Sequence, residues 1–301
     1  MNFKSKVAII GSQSFLATYI INAFKKKTSL SLTGFSRVKN DLNIDKHILF
    51  SFPQVDLDFE KLLDFDTIIY TVGRGIQQKT GESIESIYSV NAFLPIKILN
   101  FLFSKKFNGQ FITFGSYFEI GYNNEYHFYS EDEVVLSANK VPNDYAASKR
   151  LLTCFISSRD LNLKHYHLIL PNIYGCGENE NRIIPYLINS ILKELPVKLT
   201  SGEQIRQYIH TSDVANLVVS IVQNDYQSGI YNITQEQPLK IKDLVGKVYQ
   251  CLGQSASEDI FGHTQRSDAP MNVLLLSGKK ARFVLKIKNE ITLEEGILSY
   301  L

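Results

Sequence analysis

The 301-residue chain has no tryptophan, two methionines and only three cysteines, Cys154, Cys176 and Cys251. An odd, small cysteine count without a C-x-x-C pair excludes a disulfide framework and a multi-cysteine zinc site, and a reducing cytoplasm is the expected setting. Excess charge is also lacking. Lys and Arg number 32 against 30 Asp and Glu, a net charge of +2 with no long basic tract. Neither nucleic acid nor an anionic membrane is therefore expected as the main partner, whereas a compact anionic ligand is compatible. No apolar run approaches the roughly 20 residues of a membrane span. The opening "MNFKSKVAII" turns polar at "GSQS", too soon for a secretory signal. His165 and His167 alternate along an expected strand with no cysteine or acidic cluster beside them, so no metal is expected. There is no internal repeat and no Gly/Ser- or Pro-rich linker, so any two parts of the chain should share a large interface.

What is present is enough apolar sequence, 44% of residues, to build a large core, and it comes in a regular alternation. "KVAIIG", "SLTGFSR", "TIIYTVG", "GQFITFGS" and "KHYHLILPN" read as strands, with helical patterns between them near residues 15 to 27, 58 to 63, 84 to 106 and 143 to 160. This βα order predicts an α/β fold, a doubly wound parallel (Rossmann) sheet that binds a nucleotide at the carboxyl ends of its strands. After Asn172 the pattern is less regular: a helix near 182 to 194, the strand-then-helix segment "RQYIHTSDVANLVVSIVQN" and a short strand "GIYNIT". A dinucleotide-binding unit over 1 to 171, with segments returning near 208 to 234, is expected beside a smaller, interleaved and mainly substrate-binding unit over 172 to 301.

Gly11 falls at the turn from the first strand into the first helix. There a glycine lets backbone N–H groups of Ser14, Phe15 and Leu16 approach a pyrophosphate at the helix N-terminus. Ser14 and Ala17 replace two glycines of the usual fingerprint. At the end of the second strand stand Ser36 and Arg37 rather than an acidic residue, which favours a 2′-phosphate and hence NADP(H), with NAD(H) as the alternative. Asp56 is placed after the third strand to meet the adenine edge. Thr71, Val72 and Gly73 end the fourth, slender enough to let a cofactor cross.

"VPNDYAASKRLL" opens a helix with Tyr145 and Lys149 at i and i+4, on one face. With 16 tyrosines in the chain, chance alone supplies about one Y-x-x-x-K match, so the spacing needs support. An ammonium so placed would lower the phenol's pKa and let it pass a proton.

Support comes from order. Gly11, the serine of "FGSYFEIG", "YAASK", "PNIYG" and "RQYIHTSD" together resemble the extended short-chain dehydrogenase/reductases of the epimerase/dehydratase type that act on nucleotide sugars, over nearly the whole chain. "GENENRIIPYLINSILK", "TSGEQIRQYI" and "TQRSDAP" are most similar to reductases of 4-keto-deoxyhexoses of the CDP-abequose synthase type. The resemblance implies Tyr145 as acid/base, Lys149 as its activator and holder of the nicotinamide ribose, and Ser116 as donor to the substrate carbonyl. It also implies Asn91 beneath the cofactor, Pro171 beside the nicotinamide, and Asn172, Arg206 and Arg266 against the substrate's diphosphate and nucleotide. Two positions depart from the pattern: Ile169 stands where relatives commonly carry an arginine, and Pro171 where they carry an aromatic or bulky residue. The expected activity is NADPH-dependent reduction of a nucleotide-linked 4-keto sugar, with an NAD-dependent 4-epimerase and a non-catalytic dinucleotide-binding protein as alternatives. A homodimer through the helices near 84 to 106 and 143 to 160 is expected.

Overall fold

The computed structural model describes residues 5–27, 30–38, 44–76, 81–235, 237–265, 270–288 and 290–301. Five strands, β1 (Lys6–Ile10), β2 (Ser31–Ser36), β3 (Lys46–Leu49), β4 (Thr67–Tyr70) and β5 (Gln110–Ser116), join Lys164–Leu170 and Gly229–Asn232 in one sheet. All six pairings are parallel, and the order is Gly229–Asn232, Lys164–Leu170, β5, β4, β1, β2, β3. Parallel strands need helical crossovers, which cover both faces, and so β1 and β4 are apolar runs rather than alternating ones. The chain leaves β1 toward β2 on one side, while β4 lies on the other. At the carboxyl end of β1 the connections therefore diverge, and a crevice opens.

One face is covered by α1 (Phe15–Lys27), whose Leu16, Ala17, Ile20, Ile21 and Phe24 form a buried stripe at helical spacing. Each large apolar side chain so buried is worth about 1.5–3 kcal/mol, which outweighs the helix's modest intrinsic propensity. Lys25, Lys26 and Lys27 in the last turn complement the helix dipole. The helix Thr211–Gln223 packs beside α1, and the strand Gly229–Asn232 completes the sheet, so the chain returns to its first core after leaving it.

The other face carries the helix Asp144–Ser157 and a run of helix from Ile84 to Ser104. The sequence suggested one continuous helix over 84 to 106; the structure inserts a π-turn at Ser89–Phe93 before Leu94–Ser104. Among the described residues this is one helix long and apolar enough to cross a membrane by length and composition. Its Leu94, Ile98, Leu99 and Leu102 lie in the core under the sheet. A separate core gathers Tyr174, Ile184, Leu187, Leu244, Val248 and Ile297 in the C-terminal part.

Candidate active site

The crevice beside β1 is a cavity of about 260 Å³ lined by Gly11, Ser14, Ser36, Arg37, Val72 and Gly73 among others. Gly11 has φ +87°, and a Cβ there would stand 2.8 Å from a Val72 methyl, so both the turn and the close approach require glycine. The Thr71 hydroxyl pins the turn by donating to the Ile10 and Gly11 carbonyls, each at 3.0 Å. Ser14 caps α1, its Oγ accepting from the Ala17 N–H at 3.2 Å. Phe15 and Leu16 occupy the first helical turn, where N–H groups have no intrahelical acceptor and attract an anion. Ser12 Oγ is buried next to this turn without a hydrogen-bond partner. Together these features fit a bound pyrophosphate.

At the end of β2 the Ser36 hydroxyl is buried and turned inward, donating to the Val38 carbonyl at 2.9 Å and meeting His47 Nε2 at 3.0 Å, while Arg37 is exposed on the cavity rim. Asp56 does not reach the cavity. The third strand ends at Leu49, a turn bridged by Ser51 and Val55 follows, and Asp56 lies beyond it, exposed and bonded to the Leu57 N–H at 2.8 Å. Phe50, Ser51 and Phe52 line the wall instead. Sequence reasoning also missed Arg74 and Glu82, which close the far side of the cavity. The Arg74 guanidinium bonds Ser86 Oγ and reaches the Phe52 carbonyl at 3.3 Å.

Three elements meet at the carboxyl end of β5. Ser116 ends the strand and caps the short helix Tyr117–Ile120 in a capping box with Glu119. Asn143 caps the helix Asp144–Ser157, accepting from the Ala146 N–H at 3.0 Å, which sets Tyr145 and Lys149 on the turns facing β5. The Tyr145 ring is half-buried, edge-on to Phe118 at 6.4 Å between centroids. Burial raises its phenol above the ordinary value. A hydrogen bond from Ser116 pulls it down, Glu119 pushes it up, and Arg182 pulls it down.

Lys149 does not act on the phenol in the expected way. Its Nζ donates to the Phe114 carbonyl at 2.9 Å, and burial lowers its own pKa to about 8 against the opposing pull of Glu119. The side chain runs under the sheet end and not toward the tyrosine oxygen. Asn91, on the π-turn, is a fully buried brace: its Oδ1 accepts from the Arg74 N–H at 2.9 Å, and its Nδ2 donates to the Arg74 carbonyl at 2.9 Å and to Ser148 Oγ at 3.0 Å. It ties the loop after β4 to the helix that carries Tyr145.

Across from Tyr145, Pro171 is buried at the end of Lys164–Leu170, and Asn172 follows with its Oδ1 accepting from Arg182 Nη2 at 3.4 Å. Arg182, which sequence reasoning passed over, pairs with the buried Glu178 at 2.7 Å. Arg206 departs from its expected role. It is 5% exposed, and its guanidinium donates to the carbonyls of Ile205, Asn272 and Met271, at 2.9, 3.1 and 2.5 Å. These bonds hold a distant segment against the strand pair and take up the fork expected to meet phosphate. Arg266 lies outside the described residues. A larger cavity of about 530 Å³ is lined by Tyr122, Asn123, Asn124, Glu125, Tyr129, Asn139 and Pro270, and by none of the expected site residues.

A parallel sheet with a glycine turn at its switch point, and a serine and a tyrosine paired at the end of the neighbouring strands with a lysine one helical turn on, define an oxidoreductase of the extended short-chain dehydrogenase/reductase type. Residues 7–234 match the NAD dependent epimerase/dehydratase family, and the chain belongs to it. It is 26% identical to CDP-abequose synthase of Salmonella typhimurium, over 73% of this chain and 71% of that protein. Against dTDP-4-dehydro-6-deoxyglucose reductase of Escherichia coli the identity is 24%, over 56% of this chain and 53% of the relative. UDP-glucuronic acid 4-epimerase of Bacillus cereus, solved with UDP-glucuronic acid and NAD, superposes with a TM-score of 0.81 at 17% identity, covering 98% of this chain and 97% of that one.

Proposed function

We propose that this protein uses NADPH to reduce the 4-keto group of a nucleotide-linked deoxyhexose, in the cytoplasm, as a step in making a surface-polysaccharide sugar. The observation that carries the reading is the Ser116–Tyr145 pair, a hydroxyl and a phenol within one hydrogen-bonding unit at the carboxyl end of β5. Reducing a ketone needs a donor that polarises the carbonyl and an acid that protonates the developing alkoxide. Ser116 supplies the first and Tyr145 the second. The bound nicotinamide supplies the hydride. The first turn of α1 would hold its pyrophosphate, Arg37 the 2′-phosphate, Thr71 to Gly73 the crossing chain and Lys149 the ribose. Asn172 and Arg182 stand where a sugar diphosphate would be received.

The similarity to dTDP-4-dehydro-6-deoxyglucose reductase supports reduction, and that to CDP-abequose synthase supports a nucleotide-linked sugar. An NAD-dependent 4-epimerase is the second reading, favoured by the fold neighbour solved with NAD. Arg37 on the rim, where the second strand ends in Ser36 rather than an acid, and the substitution of Ser14 and Ala17 for glycines favour an exchangeable phosphorylated cofactor over a retained one. Exposed Phe93, Phe103 and Leu151, on the helical run from Ile84 and the helix Asp144–Ser157, support a homodimer through that face. The test is to assay purified protein for NADPH consumption with CDP-, dTDP-, GDP- and UDP-linked 4-keto sugars, and to identify any nucleotide released on denaturation. One-for-one oxidation with one of them is expected. Stoichiometric retained NAD, with interconversion of 4-hydroxy sugars and no added cofactor, would replace the reductase by an epimerase. Turnover of either kind excludes a purely sensing role.

A further inference from the structure

Directly beneath the reacting pair is a carboxyl that the proposed reduction does not use. Glu119 is fully buried; its Oε1 accepts from the Ser116 N–H at 2.6 Å, and the Thr153 hydroxyl beside it helps hold its charge. The groups facing it come from two packed elements. Tyr145, Lys149, Arg150 and Cys154 belong to the helix Asp144–Ser157, and His167 comes from the strand Lys164–Leu170. A Cβ on Gly115 would stand 2.7 Å from His167 Nε2 and 2.8 Å from Glu119 Oε1, so the missing side chain lets the two side chains close over the strand end. Arg150 does not neutralise the carboxylate by direct pairing; Nε donates at 2.9 Å to the Glu119 backbone carbonyl, and Nη1 at 2.7 Å to that of Asn139.

A helix cap needs no burial, and exposed carboxylates fill such boxes elsewhere in this chain, at Glu133 and Glu295. Burying a charge is costly unless it is matched, and the buried ammonium of Lys149 is enclosed with this one. We propose that Glu119 is a positioning residue of the active site, fixing the Ser116 backbone and serving as the buried counter-charge that keeps Lys149 protonated under the end of β5. The proposal rests on the reductase reading only for its kinetic consequence; its electrostatic content does not. Burial holds the Glu119 carboxyl up at about 7 against the downward pull of Thr153, the Ser116 N–H, Lys149 and Arg150, so the charge is present only from near-neutral pH upward.

Nucleotide-free protein carrying 13C at lysine Cε and glutamate Cδ, titrated by NMR, tests this. Lys149→Met and Glu119→Gln assign the two signals. The Lys149 midpoint is expected to fall by about one pH unit in Glu119→Gln, and the Glu119 midpoint to rise in Lys149→Met. In the kinetic arm, Glu119→Gln, which retains an acceptor for the Ser116 N–H, should hold KM and lose about tenfold in kcat, with its alkaline limb moved to lower pH. Unchanged midpoints and a superimposable pH profile would reduce Glu119 to a cap and overturn the proposal. If Glu119→Gln does not fold, the unmodified protein still decides: each signal must show the other's inflection, and independent titrations refute the coupling. Absence of turnover in the unmodified protein, with coupled midpoints intact, would overturn the reductase reading and leave Glu119 in place.

Discussion

The two ends of the crevice are built on opposite plans. At the β5 end, Ser116, Glu119 and Lys149 are buried, and each is fixed by hydrogen bonds to backbone within its own turn or the adjoining strand. At the β2 end, Arg37 stands exposed on a rim, and the buried Ser36 beside it is turned inward onto its own loop. The first arrangement holds polar atoms in one geometry in a low-dielectric setting, where charge and orientation carry the most weight. The second leaves a long cation able to meet whatever phosphate arrives. Reaction chemistry is thus tied to the interior, and cofactor choice to a surface residue that can change without disturbing the core. Substitutions at the two ends should separate these properties cleanly.

The largest separation is expected at Tyr145. Tyr145→Phe removes one oxygen from a half-buried ring whose packing against Phe118 is retained. Dinucleotide binding, measured by fluorescence titration, should stay near that of the unmodified protein, while kcat falls by roughly two to four orders of magnitude, the usual worth of a positioned acid. Near-normal reduction would remove Tyr145 from the chemistry and make its spacing to Lys149 a coincidence.

The complementary change is smaller and affects the other property. Arg37→Asp replaces an exposed cation by a group that repels a 2′-phosphate and accepts from a ribose hydroxyl. The ratio of kcat/KM for NADPH over NADH should invert, by tens- to a hundredfold in total, with the thermal midpoint unmoved. Equal affinity of the unmodified protein for both dinucleotides would take Arg37 out of the site and dissolve the contrast between the two ends.

How much of this was legible in the sequence follows the same division. The strands could be read because both faces of a parallel sheet are covered, leaving short runs in β1, β4 and β5 that are buried almost throughout and mostly apolar. The places of Gly11, Ser116 and Tyr145 could be read because they are set by a strand end and the first turn of the next helix, whereas the direction of the Lys149 side chain, onto the Phe114 carbonyl, could not. The turn at Ser51 to Val55, which sets Asp56 back from the strand end and puts Phe50 to Phe52 on the wall, is announced by no local pattern. Arg206 was misread because its acceptors, Met271 and Asn272, lie 65 and 66 positions away. Glu119 was passed over because a lone acid after a strand ordinarily faces water. Its burial depends on Lys149, Arg150 and His167 closing over it.

The mildest expected effect concerns the floor of the buried end. His165 Nε2 and His167 Nδ1 both meet the Thr113 hydroxyl at 2.8 Å, and His167 Nε2 meets that of Thr153 at 2.9 Å. Burial keeps both rings neutral, pushing His165 from 6.5 down to about 3 and His167 well below 6.5. Below pH 6.5 the unfolded chain therefore binds protons that the folded one refuses. The stability linked to these rings is complete above that value and lost as pH falls, by about 1.4 kcal/mol per pH unit for each. Glu119 has the opposite sign. Its carboxyl is raised from 4.5 to about 7, so its contribution is present below pH 4.5 and lost as pH rises through 7. Between pH 4.5 and 6.5 the two rings oppose the one carboxyl, and these three groups together leave a loss of stability on acidification. Urea unfolding at pH 5 and 6.5 measures it. His167→Asn should flatten the slope and Glu119→Gln should steepen it. A slope left unchanged by His167→Asn would mean that this histidine accepts a proton in the folded state, and that the buried end is wetter than its hydrogen bonds imply.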